Sequence, residues 1–297
     1  MSKLKRMGVS DRVFYACIMV IAIGALIIAL YPIYFIIIAS VSNSNMVNQG
    51  MVTIIPRDIS FYGYQKILER ADLWVGYRNT ILYTVAGTIL NLAVTLPAAY
   101  VLAQPEFSGR KVIMTMFVIT MYFSGGLAWP IRAHSSSRVR IPSSRIPRIS
   151  SRIRISHSPV TRTFFESSIP KELQEAAELD GCSHFRYFGQ IVLPLSKAVV
   201  SVITLYYAVG HWNDFFTALL YLNKDVYQPL QTILRNILLS NQAMAGTTGA
   251  GEGSYAQQFA DQIKFAVIIV STVPVLCIYP FIQKYFEKGV MIGAVKG

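Results

Sequence analysis

Apolar residues occur along this chain in long runs. Residues 13–40, 80–104 and 112–131 contain no charged residue, and residues 198–222 and 265–286 contain one each. A helix needs about 20 mostly apolar residues to cross a bilayer. The pattern therefore predicts five membrane-spanning helices.

Two features refine the first of these runs. Residues 13–40 are too long for the core of a signal peptide, and no small-residue cleavage pattern follows them. Pro32 predicts a kink, which membrane helices tolerate.

Outside the apolar runs, FYGYQKILERADLW (residues 61–74) is typical of an amphipathic surface helix, and AGTTGAGEGS (residues 245–254) is typical of a flexible loop.

Composition supports a membrane protein. Hydrophobic residues make up 53% of the 297 residues and charged residues only 14%, whereas about a quarter of a soluble domain is charged. This argues against a soluble enzyme and against a disordered chain. The net charge of +12 could indicate a nucleic-acid partner, but the apolar runs favour basic loops beside a membrane, and we expect no nucleic acid.

Positive charge in short loops predicts the orientation, because basic loops stay in the cytoplasm. Residues 1–12, the loop at Arg110 and Lys111, and the tail at residues 287–297 with the preceding Lys284 are basic. We therefore expect both termini in the cytoplasm. Residues 41–79 and 223–264 have nearly balanced charge and are expected outside.

This topology requires a sixth crossing within residues 132–163, where the sequence does not look like a span. Residues 131–160 contain seven Arg and no acidic residue, so they supply seven of the twelve net positive charges. Inserting seven Arg would cost on the order of 20 kcal/mol. The fourth span is therefore predicted to be disrupted.

Three interpretations of residues 131–160 stay open. The segment is a real basic linker for RNA or anionic lipid, a poor span that crosses within a partner complex, or the product of two compensating shifts of the reading frame. The restricted alphabet of Ser, Arg, Ile, Pro and His favours the frame shifts, because coherent sequence resumes on both sides.

Residues 164–197 predict a bent pair of short helices between two spans. Ser168 is a candidate N-cap, and Pro170 and Glu172 suit a first turn. Gly181 is placed to end this helix in a left-handed conformation. Ser183 is a candidate cap for a second helix, which Pro194 would end before the next span.

The same stretch carries a family signature. Glu175, Ala176 and Ala177 are followed by Gly181 and then by the I-x-L-P sequence that ends at Pro194. This order resembles the EAA loop of ABC importer permeases, the inner-membrane components of binding-protein-dependent transport systems. Residues 31–40, 79–103, 211–222 and 279–297 also resemble the carbohydrate branch, of the maltose and oligosaccharide type. Residues 131–160 depart from the pattern.

The resemblance implies an all-α, polytopic, six-span permease in a bacterial inner membrane, with its permease domain at residues 13–286. The expected partners are a second permease subunit, separate ATPase subunits, an external solute-binding protein, a sugar and membrane lipid. The EAA loop, residues 164–197, would couple to the ATPase. The residues implied for this coupling are Glu175, Ala176, Ala177, Asp180, Gly181, Phe185 and Pro194.

Polar and aromatic residues in the fifth predicted span, residues 198–222, form a second candidate site. An ionisable residue inside a membrane is a functional hypothesis by default, and aromatic rings with amides suit a sugar. Packing between permeases is the competing interpretation. The candidate substrate-path residues are Tyr206, Tyr207, Trp212, Asn213 and Asp214.

No pattern predicts catalysis or a cofactor. The chain has no GxxxxGK[ST] loop for ATP, no spacing of His or Cys that predicts a metal site, and no evident nucleophile–base pair. We therefore expect neither an enzyme nor a metalloprotein. The function predicted is that of a sugar-importer permease subunit; the alternatives are a permease for another solute, or a membrane scaffold or receptor that does not transport.

Overall fold

The computed structural model describes residues 9–122, 157–222, 224–247 and 263–278, with residues 280 and 283. Within these residues every regular element is a helix, and the only extended pairing is an isolated antiparallel bridge between Ser42 and Ile59. The predicted all-α fold class is thereby confirmed. The chain divides into two compact units, Met1–Leu73 with Ile233–Val273 and Trp74–Thr232 with Pro274–Gly297.

Twelve helices are numbered here along the described chain. They are α1 Val9–Ser40, α2 Ser44–Asn48, α3 Tyr62–Leu68, α4 Ala71–Ala103, α5 Arg110–Tyr122, α6 Ser158–Ser168, α7 Lys171–Leu179, α8 His184–Tyr187, α9 Lys197–Trp212, α10 Phe216–Tyr221, α11 Leu230–Thr247 and α12 Ile263–Ile278. A π-helical turn at Phe188–Val192 and a short helix at Leu193–Leu195 extend α8.

The first unit contains the long apolar helix α1, which continues through Pro32. Its C-terminal half carries the tyrosines Tyr31 and Tyr34, whose hydroxyls donate to the backbone carbonyls of Thr53 and Ile54. Phe35 packs edge-on against Phe265 of α12, with the ring centroids 6.1 Å apart. These contacts tie the loop after α2 and helix α12 to the same end of α1.

The second unit is organised by one polar face of α4. Thr80, Thr84, Thr88, Asn91 and Thr95 recur every three or four residues, which places them on one side of the helix. The Thr80 hydroxyl accepts from the Leu230 backbone N–H at 2.8 Å. Asn91 lies 3.0 Å from His211 and Thr95 lies 2.7 Å from the Tyr207 hydroxyl, both on α9. Hydrogen bonds therefore hold α4 against α9.

Among the helices that the structure describes, two are long and apolar enough to cross a membrane: residues 13–40 of α1 and the whole of α4. The pair formed by His184–Leu195 and α9 passes the same test if counted as one span, although its two parts are bent by 83°. Helix α12 is apolar and shorter. The run at residues 198–222 is not one helix, because α9 ends at Trp212 and α10 begins at Phe216.

Several predictions fall outside the described residues. They are the basic residues before position 9, the part of the third span after Tyr122, most of the Ser- and Arg-rich segment (131–156 of 131–160), the loop residues 248–254 and the tail at residues 287–297. The end of that basic segment is described: α6 begins at Ser158, with Pro159 in its first turn.

The predictions for two surface segments are wrong as well. Residues 61–74 do not form a single helix, because α3 ends at Leu68 and α4 begins at Ala71. Ile67 and Leu73 are both buried. In one continuous helix, side chains six positions apart in the sequence point about 120° away from each other. The break between α3 and α4 therefore allows both side chains to be buried. The loop predicted at residues 245–254 begins too early, since α11 continues to Thr247.

Candidate functional site

The first helix of the predicted coupling loop begins two residues later than the sequence suggested. Ser168 is the last residue of α6, and the N-cap of α7 is Pro170, in extended conformation with φ −61° and ψ 138°. Ile169 is extended as well, as expected for a residue before proline. The prediction that Ser168 caps α7 is therefore wrong, whereas Glu172 does lie in the first turn.

The end of α7 has the predicted left-handed glycine. Gly181 has φ +71°, and its N–H donates to the Glu178 carbonyl at 3.0 Å while the Cys182 N–H donates to the Ala177 carbonyl at 2.9 Å. This pair of bonds is the Schellman arrangement, which satisfies the last carbonyls of a helix. Asp180 is the C-cap residue, and the turn directs the chain into α8.

The two faces of α7 have different surroundings. Ala177 is buried in a hydrophobic cluster with Tyr100, Phe165, Tyr187 and Val192, whereas Glu175 and Ala176 are exposed. Thus the buried side of α7 is held by the second unit, and the Glu175 side is open.

Two large apolar side chains of the coupling loop are almost fully exposed. Leu179 is 89% exposed and Phe185 is 91% exposed. Phe185 was singled out from the family signature. Leu179 was missed, although it follows Ala176 by three residues and so extends the same helical face.

Helix α8 is capped and bent. The Ser183 hydroxyl accepts from the Arg186 backbone N–H, as predicted for a cap. Pro194 does not end the helix, because the helical path continues to Leu195 after the π-helical turn. The direction changes by 83° between Leu195 and Lys197, at Ser196, whose N–H donates to the carbonyls of Val192 and Leu193. The predicted bent two-helix element is present, with its final bend two residues beyond Pro194.

An ion cluster fixes the base of this element. Glu166 of α6 pairs with Arg162 one turn earlier and with Arg110 of α5 at 3.3 Å. The Arg162 Nε also donates to the Leu102 carbonyl at 3.0 Å, near the end of α4. The three helices are thereby joined at one point, immediately before α7.

The candidate substrate-path residues do not form one surface. Tyr207 and Trp212 are buried in the second unit, where Trp212 packs against Tyr77 with ring centroids 6.4 Å apart. Tyr206 is exposed and stacks on the ring of His157 at 5.4 Å. Asn213 is also exposed.

The two polar residues after Trp212 serve helix ends. The Asn213 amide donates to the Val209 carbonyl at 3.0 Å. The Asp214 carboxylate accepts from the Thr217 N–H at 3.1 Å, in the first turn of α10. Among the described residues no cluster of three or more His, Cys, Asp or Glu could hold a metal ion.

Long apolar helices, with a capped two-helix element before α9, are the architecture expected of a membrane permease, and comparison with known proteins identifies the class. The model of the family "binding-protein-dependent transport system inner membrane component" matches residues 159–292. Protein LplC of Bacillus subtilis (strain 168) is 34% identical over 97% of this chain and 96% of its own length. The polygalacturonan/rhamnogalacturonan transport system permease protein YtcP of the same strain is 34% identical, over 97% and 98%.

A solved structure agrees. The crystal structure of a bacterial ABC transporter involved in the import of the acidic polysaccharide alginate contains a chain that is 30% identical, with a TM-score of 0.78 over 94% of this chain and 99% of that one. This protein belongs to the family of binding-protein-dependent transport system inner-membrane components.

Membership confirms what the EAA loop predicted about class. The chain is a permease subunit of an ABC importer and a multi-pass protein of the inner membrane. The family is one of transport proteins rather than enzymes, and it implies an ATPase and a solute-binding protein as partners. The scaffold or receptor alternative is not favoured.

Proposed function

We propose that this chain forms part of the transmembrane path for a sugar or oligosaccharide, which an external binding protein delivers and a separate ATPase drives through α7 and α8. A second permease subunit completes the path, and lipid surrounds the apolar helices. The sugar assignment is supported by relatives named for polygalacturonan/rhamnogalacturonan and for melibiose, raffinose and stachyose.

The observation that carries the coupling role is the exposed face of α7 and α8. Leu179, one turn after Glu175 on α7, and Phe185 on α8 are both almost fully exposed, and large exposed apolar side chains are typical of a surface that a partner covers. Ala177 holds the opposite side of the element in the core. A partner that binds the exposed face could therefore move α7 and α8 together with the spanning helices against which they pack.

Each implied residue has a distinct task in this proposal. Glu175 pairs with a basic group of the ATPase, and Ala176 allows close approach because its side chain is small. Asp180 and Gly181 form the turn that positions Phe185. Pro194 belongs to the segment that joins the coupling element to α9.

The backbone at Gly181 gives the test. Both Gly181 and Gly50 have φ +71°, and a Cβ atom at either would meet nothing within 4 Å, so replacement by Asp strains both backbones by about 1–2 kcal/mol without a clash. We expect Gly181→Asp to abolish ATP-dependent uptake into proteoliposomes. Gly50 is far from the coupling loop in sequence. We therefore expect Gly50→Asp to lower thermal stability as much as Gly181→Asp does, but to keep ATP-dependent uptake.

Uptake and ATPase co-purification distinguish the outcomes. Wild-type uptake by the Gly181→Asp variant would show that the turn is not used for coupling. An equal loss of uptake in both variants would assign the effect to strain alone. A chain that never co-purifies with an ATPase would refute the transport role.

A further inference from the structure

The second unit contains a cleft of about 310 Å³ beside the coupling element. Its lining comes from the end of α4 at Tyr100, from Phe165 of α6, from Gln174 of α7 and from Tyr187 of α8. Near Gln174 the cleft therefore separates α7 from the end of α4, whereas Ala177, further along α7, packs in the same cluster as Tyr100. Closing this cleft would bring the start of α7 toward the end of α4.

Two tyrosine hydroxyls beside this cleft are buried and lack a hydrogen-bond partner within the described part of the chain. They belong to Tyr100 and Tyr187, whose ring centroids lie 6.4 Å apart. Phe188 packs on Tyr100 at 5.0 Å and restricts its ring. Buried polar groups are nearly always paired, so two unpaired hydroxyls at one place indicate that another arrangement of these residues supplies an acceptor.

Glu178 of α7 is the acceptor that fits. The preceding residue, Ala177, belongs to the same buried cluster as both tyrosines. The Glu178 carboxylate is exposed and accepts from the Gln174 amide at 3.0 Å, and Gln174 itself lines the cleft. Burial raises the pKa of Tyr187, and the charge of Glu178 raises it further, so the hydroxyl stays protonated and able to donate.

We propose that Tyr100 and Tyr187 are positioning residues for coupling: when α7 closes the cleft, both hydroxyls donate to Glu178 and join the coupling helix to the end of α4. The inference rests on the proposed docking of an ATPase to α7. In the open arrangement seen here the hydroxyls have no acceptor. In the closed arrangement they hold α4 and α7 together, so that a movement of the ATPase reaches a spanning helix.

The test replaces both tyrosines by phenylalanine in the full chain, assembled with its partner permease, ATPase and binding protein in proteoliposomes. Removing two unpaired buried hydroxyls favours the open arrangement. We therefore expect the melting temperature without nucleotide to rise. Uptake is expected to fall by about a hundredfold, roughly tenfold for each of the two closed-state hydrogen bonds to a charged group that are lost, while ATP hydrolysis continues and the half-saturating sugar concentration stays the same.

Matched variants separate this role from ordinary packing. Tyr15→Phe, at an exposed position on α1, is expected to change neither stability nor uptake. Glu178→Ala is expected to reproduce the loss of uptake, and Glu178→Gln, which keeps an acceptor, to restore most of it.

Three results would overturn the inference. Unchanged uptake in the Tyr100→Phe/Tyr187→Phe variant refutes the link between α4 and α7. A lower melting temperature together with lower uptake assigns both tyrosines a purely structural role. If wild-type chain fails to couple ATP hydrolysis to uptake, the proposed function fails and this inference fails with it, whereas a coupled wild type with an unaffected variant refutes the tyrosine link alone.

Discussion

Asn213 and Asp214 satisfy backbone groups at the point where an apolar run is interrupted. Asn213 donates to a carbonyl at the end of α9, and Asp214 accepts from an N–H at the start of α10. In a membrane each unsatisfied backbone group costs several kcal/mol. The polar pair therefore marks a break between two helices. Of the two side chains only that of Asn213 is exposed, so only Asn213 remains a candidate for contact with a sugar.

Replacing Asn213 by Leu tests that role. The variant loses one side-chain bond to the backbone, at a cost of about 0.5–1.5 kcal/mol, and is expected to raise the half-saturating sugar concentration for uptake. Thr204→Val is the control, because the Thr204 hydroxyl also bonds a carbonyl of α9 four residues earlier, at 2.6 Å. Equal uptake curves for wild type and Asn213→Leu would show that Asn213 does not contact the sugar and only satisfies the carbonyl at the end of α9.

The sequence revealed residue types more readily than their partners. It correctly singled out Gly181 and Ser183, because a left-handed turn and a helix cap each depend on a few neighbouring residues. It assigned Ser168 wrongly, because the extended conformation before Pro170 takes precedence over a good capping side chain. It did not reveal that His211 pairs with Asn91, since these residues are 120 positions apart.

At the scale of elements, α4 and α9 approach closely at Gly87. A Cβ atom at this position would lie 2.7 Å from the Cε1 and Nε2 atoms of His211. The ring is held by Asn91 one turn further along α4. The glycine thus makes room for an interhelical hydrogen bond that a larger residue would displace.

Gly87→Ala is therefore expected to destabilise the detergent-solubilised protein by about 1–3 kcal/mol, the usual cost of overpacking, and to lower its melting temperature. Gly210→Ala is the matched control on α9, where an added Cβ meets nothing within 4 Å and alanine favours the helix. If Gly87→Ala melts at or above the wild-type temperature, the close approach of α4 and α9 is not needed for stability.

Element prediction succeeded where hydropathy was uniform and failed where it was mixed. Helices α1 and α4 cover the first two apolar runs. Helix α11 was not predicted, although Leu230, Ile233, Leu234 and Ile237 are buried and recur with helical spacing. Polar residues lie between these apolar positions, so α11 contains no long apolar run, and a prediction based on such runs misses its helical periodicity. The division of residues 198–222 was likewise obscured by the apolar residues on both sides of Asn213.

At the scale of the whole molecule, orientation remains a prediction from the distribution of Lys and Arg. Both termini and the loop containing α7 are expected in the cytoplasm. Leu179 provides a probe, because it is 89% exposed. In a variant lacking Cys17, Cys182 and Cys277, a cysteine introduced by Leu179→Cys should react with an impermeant maleimide in inverted vesicles and not in intact cells.

The ATPase should then protect that cysteine from labelling. A cysteine introduced by Ile54→Cys, at an exposed position of the segment expected outside, is the control and should show the opposite pattern of labelling. Labelling of Leu179→Cys from outside the cell would reverse the orientation and exclude α7 from contact with a cytoplasmic ATPase.

We expect the near-perpendicular joint at Ser196 to act as a lever. Helix α9 has 16 residues and is therefore about 24 Å long, so a tilt of roughly 10° about the joint would swing Trp212 sideways by about 4 Å. A small movement of α8 at the joint would thus displace the far end of α9 by more than the diameter of an atom. If α7 and α8 dock an ATPase as proposed, the length of α9 would set how far a small movement at the joint is amplified at Trp212.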